Sequence, residues 1–237
     1  LSQISESLYA VNPKDTELVT LIVEALDPKV SKDFPDQPIA RVKWTERLHK
    51  LDPSNRDNLY LWVEALLDAE KQREARDVLK ALLDEFPDAR GTAKFTQLLA
   101  RTWIGENPSE ARQFLKESIR LERMPTSHVL LGEIEEKRQS QVDAIEQYLL
   151  AIELEPTMTD IRFRVGRLLY DVGRYPEASS QLEVVVNTNP ANVVARELLG
   201  DTFREQGMAE RALRQYRRVL EQGNVREAVS YTHLTLP

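Results

Sequence analysis

The sequence predicts an all-α fold, a right-handed α-solenoid in which one helix–turn–helix unit is copied and stacked. Three observations carry this expectation. Gly132, Gly166 and Gly200 stand 34 residues apart. Ala144, Ala178 and Ala212 keep the same step, as do Pro156, Pro190 and, where the series weakens, Asn224. Between these landmarks the apolar residues recur with helical periodicity. A period of this length marks one supersecondary unit that buries its apolar face against a copy of itself.

Taken in order, LSQISESLYAVNP (1–13) reads as the second helix of a repeat whose first helix is missing. Residues 15–26 and 37–51 form the next pair, with Trp44 and Leu48 inside it. Their connector, DPKVSKDFPDQP (27–38), is longer than a standard turn, and Pro28, Pro35 and Pro38 make it irregular. In 56–89, Trp62, Leu66, Ala75, Leu79 and Pro87 keep the spacing, with Val63 where later units carry the first-helix Gly. In 92–124, Phe95, Leu98, Ala111 and Leu115 fit, with a one-residue slip before Pro125. Asn107-Pro108 supplies that second helix with a cap and a first-turn Pro, whose missing N–H is harmless there.

The last three units are the clearest. In 125–158, Leu131-Gly132 lies in the first helix, Ala144, Tyr148 and Ala151 lie in the second, and Pro156 closes the unit. Unit 159–192 has Gly166, Gly173, Tyr175, Ala178, Val185, Pro190 and Asn192; unit 193–226 has Leu199-Gly200, Phe203, Gly207, Ala212 and Tyr216. A Gly or Ala lets two helices approach closely while a neighbouring large side chain fills the groove. Gly173 and Gly207 fall between the helices, where a C-terminus favours a residue tolerant of positive φ. This pattern resembles the tetratricopeptide repeat (TPR). The resemblance covers 1–226: the half unit 1–13, three degenerate units in 14–124 and three well-matched units in 125–226. Residues 227–237 are expected to form an irregular tail. VSYTHLTLP (229–237) resembles translated transposon-end sequencing adapter, so it is read as an artefact that packs poorly, on a fragment of a microbial gene. Without a polar capping helix, Leu213 and Leu220 are expected to be exposed.

Composition excludes several function classes. The 237 residues are 41% hydrophobic and 30% charged, enough for a substantial core. No apolar run is long enough to span a bilayer, so no membrane insertion is expected. Cysteine is absent, which removes disulfides, thiolate chemistry and cysteine-ligated zinc. A net charge of −7 argues against a broad nucleic-acid surface. The chain reads as soluble, with the cytoplasm the favoured compartment. No phosphate-binding, dinucleotide-binding or metalloprotease motif occurs, so no catalytic residue, cofactor or metal is expected. His49 reads as a partly exposed helix residue and His128 as a packing residue. Arg211, Arg214, Arg217 and Arg218 form a basic stripe on a second helix; without interleaved aromatics it reads as a solvated outer face rather than a nucleic-acid site.

The resemblance implies that first helices line a concave groove and second helices the convex wall. Carried onto this chain, the groove positions are Tyr60 and Glu64, then Trp103, then Val129, Glu133 and Glu136. They continue with Asp160, Phe163, Arg167, Tyr170 and Asp171, and with Glu197, Asp201 and Arg204. Aromatics beside Arg are typical interface anchors, so Tyr60, Glu64, Trp103, Phe163, Arg167, Tyr170, Asp201 and Arg204 are the candidate partner-binding residues; for Trp103, packing is an equal expectation. The Lys/Asn/Arg clamp by which some members hold a C-terminal carboxylate is absent: the positions carry Val129, Glu133, Arg164, Val194 and Leu198. The expected function is a protein–protein interaction scaffold for a peptide or partner protein. The alternative is a substrate-recruiting or regulatory segment of a larger enzyme, such as a glycosyltransferase. An RNA-binding helical-repeat array is disfavoured by the 34-residue step and the net acidity.

Overall fold

The computed structural model describes residues 2–27, 30 and 37–234, with side chains from residue 5 up to 222 except residue 37. Most of the expected irregular connector 27–38 lies outside the described residues. Among those described there are thirteen α-helices and no strand. The chain divides into two compact units, Leu1–Arg123 and Met124–Pro237.

The first unit holds α1 (Ser2–Val11), α2 (Thr16–Ala25), α3 (Gln37–Leu51), α4 (Arg56–Asp68), α5 (Gln72–Glu85), a 3₁₀ turn (Pro87–Gly91), α6 (Ala93–Trp103) and α7 (Pro108–Leu121). Side-chain caps fix several starts. The Asp15 carboxylate accepts from the Leu18 amide at 2.9 Å, and Asn55 accepts from Asp57 at 3.0 Å. Thr92 accepts from Phe95 at 3.3 Å, and Asn107 from Glu110 at 3.3 Å, each taking up an amide the helix leaves unpaired. One core cluster joins Val19, Val23, Trp44 and Leu48; another joins Leu59, Val63, Leu66, Leu79, Leu82 and Leu98.

The second unit holds α8 (Pro125–Lys137), α9 (Gln141–Leu154), α10 (Thr159–Asp171), α11 (Tyr175–Thr188), α12 (Val193–Glu205) and α13 (Ala209–Leu234). The 34-residue landmarks sit where helices cross. Ala144 and Ala178 are fully buried and Ala212 nearly so. Gly132 faces Tyr148, Gly166 faces Leu182 and Gly200 faces Tyr216. The turn between paired helices takes positive φ at Gly173 (77°) and Gly207 (73°), and at Gln139 (63°), 34 residues before Gly173. In each unit neighbouring first helices touch, α4 with α6 and α10 with α12.

Helix α13 corrects one expectation. Its backbone stays helical through Leu234, so residues 227–234 continue the helix where an irregular tail was expected. Their side chains, and residues 235–237, lie outside the described residues. Leu213 and Leu220 are exposed, at 53% and 65%.

Candidate functional site

In the first unit the first helices α4 and α6 enclose a pocket of about 430 Å³, lined by Arg56, Asp57, Tyr60, Leu61, Glu64, Thr92 and Lys94. Its floor is Tyr60, which was expected to stand out as an anchor. Tyr60 is instead only 6% exposed, packed with Leu59 and Val63, and its hydroxyl lies 3.3 Å from the Thr92 hydroxyl. Thr92 caps α6, so that contact ties the floor to the start of the next first helix. The walls are charged. Glu64 accepts from the Lys94 ammonium, and the Arg56 guanidinium lies 6.0 Å from the Tyr60 ring centroid. Lys94 was not singled out from sequence because its contact with Glu64 crosses about a full repeat; Arg56 lies one turn before Tyr60 on α4 and read as a solvated charge.

Trp103 belongs elsewhere. It is half-buried at the end of α6, with the Arg76 guanidinium of the second helix α5 stacked 4.3 Å from its ring. Arg76 also donates to the Thr102 carbonyl at 2.8 Å and to the Glu106 carboxylate at 2.9 Å. Trp103 therefore locks α5 to α6 and is not gathered with Tyr60 and Glu64.

In the second unit, α8 and α10 bring Glu133, Glu136, Lys137 and Arg164 around a pocket of about 400 Å³. Arg164 reaches Glu133 at 3.0 Å and Glu136 at 3.1 Å; Arg167 reaches Glu136 at 2.7 Å. Glu136 also accepts the Tyr148 hydroxyl at 3.0 Å. Burial drives the Tyr148 phenol well above its ordinary range, with Glu136 and Glu133 adding to the effect and Arg164 opposing it. Asp201 and Arg204, two further candidates, pair with each other at 2.9 Å, and Asp201 accepts the Tyr216 hydroxyl at 2.8 Å.

Phe163 and Tyr170 depart from expectation. Phe163 packs against Leu182, Val185 and Leu199, and Tyr170 against the core of α9 and α10 with its ring edge-on to Tyr175 at 5.5 Å. Both are half-buried packing residues rather than free aromatic anchors. The polar lining of the α8–α10 pocket is carried by Glu and Arg side chains.

A polar clamp escaped the sequence reading. Arg196, 3% exposed, donates to the Gln215 side chain at 3.3 Å and to the Pro190 carbonyl at 2.8 Å. One repeat earlier Arg162 donates to Gln181 at 2.8 Å and to the Pro156 carbonyl at 3.2 Å. One repeat earlier again, His128 Nδ1 lies 3.0 Å from Gln147. Each clamp joins a first helix to its second helix, and the Arg versions also hold the closing Pro of the preceding repeat. His128 is thus buried, as expected; His49 is half-buried and stacked on Trp62 at 5.9 Å. In the basic stripe, Arg211 pairs with Glu183 and stacks 4.0 Å over Phe203, while Arg214, Arg217 and Arg218 are exposed.

Two tetratricopeptide-repeat family models match, one over residues 164–229 and one over residues 57–89. The chain carries tetratricopeptide repeats. Solved structures agree on the fold of such repeats. A crystal structure of MamA is 18% identical, with a TM-score of 0.57 over 70% of this chain and 96% of that one. YrrB, described as a TPR protein with an unusual peptide-binding site, is 18% identical with a TM-score of 0.59 over 75% of this chain and 91% of that one. A structure of MamA AMB-1 is 17% identical with a TM-score of 0.59, covering 72% and 92%. No curated protein sequence matches the chain. Among the described residues of the TPR helices, none forms a span long and apolar enough to cross a membrane, and no cluster of three or more metal-binding side chains occurs.

Proposed function

We propose that the chain is a protein-interaction scaffold, without catalysis of its own, that holds a peptide or partner protein against its first-helix faces. The observation that carries this reading is the α4–α6 pocket: an aromatic floor at Tyr60 beneath the Glu64–Lys94 pair and Arg56. The cavity is of a size that takes one or two side chains, and its walls offer both signs of charge. The cluster of Arg164, Arg167, Glu133 and Glu136 offers a second mixed-charge surface. Because these charges already satisfy one another, a partner gains by exchanging pairs rather than by supplying new ones. Such exchange favours specificity over raw affinity. It selects a segment with acidic and basic residues in alternation around an apolar side chain. The peptide-binding site ascribed to YrrB is one precedent for this use of the fold.

The test is selection of a random peptide library on the whole chain, followed by binding to variants. Lys94→Glu and Arg164→Glu with Arg167→Glu should each weaken capture while helicity is retained. The control is Arg214→Ala with Arg218→Ala on α13. Binding lost in the control and kept in both groove variants would overturn the assignment in favour of the basic stripe. Substrate turnover by the purified chain would overturn the non-catalytic reading.

A further inference from the structure

Unit 92–124 lacks the clamp, as does unit 56–89, where Leu59 and Val78 stand at the equivalent positions in a closed apolar core. Phe95 stands 33 residues before His128 and Phe114 stands 33 before Gln147, the same offset that separates Leu98 from Leu131 and Ala111 from Ala144. Unit 92–124 therefore carries two phenylalanines where the later units carry a hydrogen-bonded polar pair. At that place the structure has a cavity of about 400 Å³ between α5, α6 and α7. Leu79, Leu83, Phe95, Leu99 and Phe114 supply its apolar lining. The connector alongside it is also different. Seven residues, 86–92, separate α5 from α6, where four residues separate α9 from α10 and α11 from α12. The added residues form the 3₁₀ turn, with Ala89 fully buried and Arg90 at the cavity rim.

The rim is basic in an acidic protein. Arg76, Lys80 and Arg90 border the cavity against one carboxylate, Glu117, which Arg120 occupies. Arg76 is held by Glu106, but Lys80 and Arg90 are exposed and engage no carboxylate among the described residues. An apolar hole bordered by unsatisfied cations matches an apolar side chain flanked by carboxylates.

We infer that this cavity, on the second-helix side of the first unit, is a docking site for an acidic segment of a partner protein that inserts one large apolar side chain between Phe95 and Phe114. The site is distinct from the first-helix pockets and does not depend on them. The apolar residue displaces water from the Leu83–Leu99–Phe114 lining, and the flanking carboxylates meet Lys80 and Arg90. The later repeats close the same place with their own Arg–Gln or His–Gln pair.

The experiment is a random-peptide library selected on the whole chain, with dissociation constants measured for the enriched peptides. Enrichment of a Leu, Phe or Trp next to carboxylates is expected. Lys80→Glu with Arg90→Glu, both exposed, should weaken those peptides about tenfold or more, with the loss reduced at high salt. Phe95→Arg with Phe114→Gln, which rebuilds the clamp of the later repeats, should abolish binding; the surface pair keeps the test valid if that variant fails to fold. Failure to enrich any peptide overturns the inference. So do enriched peptides that lose affinity to Lys94→Glu or Arg164→Glu but not to Lys80→Glu with Arg90→Glu; these place the ligand on the first-helix faces. Self-association of the chain that disappears with Lys80→Glu and Arg90→Glu makes the occupant a second copy and overturns the proposed partner.

Discussion

Gly132 and Tyr148 share one space at the crossing of α8 and α9. A Cβ built on Gly132 would lie 2.6 Å from Tyr148 Cε1, closer than packed carbon atoms come. The ring cannot step aside: Tyr148 is fully buried and its hydroxyl is held by Glu136. Replacing Gly132 with Ala gains the roughly 1 kcal/mol that Ala usually brings to a helix interior, but overpacking costs about 1–3 kcal/mol. Net destabilisation is expected in chemical denaturation. Gly105→Ala, where nothing lies within 4 Å, is the control and should be neutral or mildly stabilising. Equal midpoints for the two variants would contradict the close crossing.

The turn between α8 and α9 invites the opposite change. Gln139 holds φ at 63°, in the register where later turns use Gly173 and Gly207. Gln139→Gly should raise stability by about 0.5–1 kcal/mol, since Gly adopts this conformation without steric cost. Thermal melting checks the sign.

One buried phenol, Tyr148, and two half-buried ones, Tyr170 and Tyr216, set an alkaline limit. Burial raises the pKa of Tyr148, Tyr170 and Tyr216, assisted in each case by nearby carboxylates. For an acid whose folded pKa lies above its unfolded value, the stabilisation is complete below the unfolded value, about 10, and is lost as pH rises through the folded one. Stability should therefore be flat towards neutral pH on this account and fall above pH of about 10. Phenolate absorbance should show these tyrosines ionising late, together with loss of helicity. Ionisation of every tyrosine near the ordinary value with the fold intact would rule this out.

Arg41 is 3% exposed and depends on two carboxylates, Asp68 at 2.6 Å and Asp27 at 3.2 Å. Asp68 in turn reaches Arg101 on α6 at 3.3 Å. Asp68→Ala leaves a buried guanidinium half-served and should cost about 3 kcal/mol. Glu46→Ala, which removes an exposed pair with Lys50, should leave the denaturation curve unmoved.

Phe163→Ala with Tyr170→Ala should act on stability first. Both side chains pack against cores, so their removal is expected to cost several kcal/mol, roughly 2 or more for each large apolar truncation. Arg164→Glu with Arg167→Glu is the cleaner probe of the groove, because these residues are partly exposed. Circular dichroism alongside binding separates the two effects.

The repeat was legible because steric constraints recur in fixed register. A Gly that must admit Tyr148 or Tyr216 leaves the same mark in each copy, and so does an Ala at a crossing. The clamp also left a mark, in Gln147, Gln181 and Gln215 at the 34-residue step, but polar residues on a helix read as solvated until their partners are seen. The groove residues were harder for a different reason. Register tells which face of a helix a residue occupies, yet the burial of Tyr60 depends on Thr92 and the pairing of Glu64 on Lys94, both in the next repeat. Those contacts vary from copy to copy, so no period announces them.

The Glu136 contacts carry a historical consequence. Arg164 and Arg167 meet Glu133 and Glu136 across neighbouring copies, but 34 residues beyond those arginines stand Leu198 and Asp201. A recombination that excised 159–192 would splice two units of the same shape and leave Asp201 opposite Glu136, acid against acid. The copies share a backbone but are not exchangeable parts. The charge pairing thus fixes the order of these units along the stack, which their shared backbone alone leaves open.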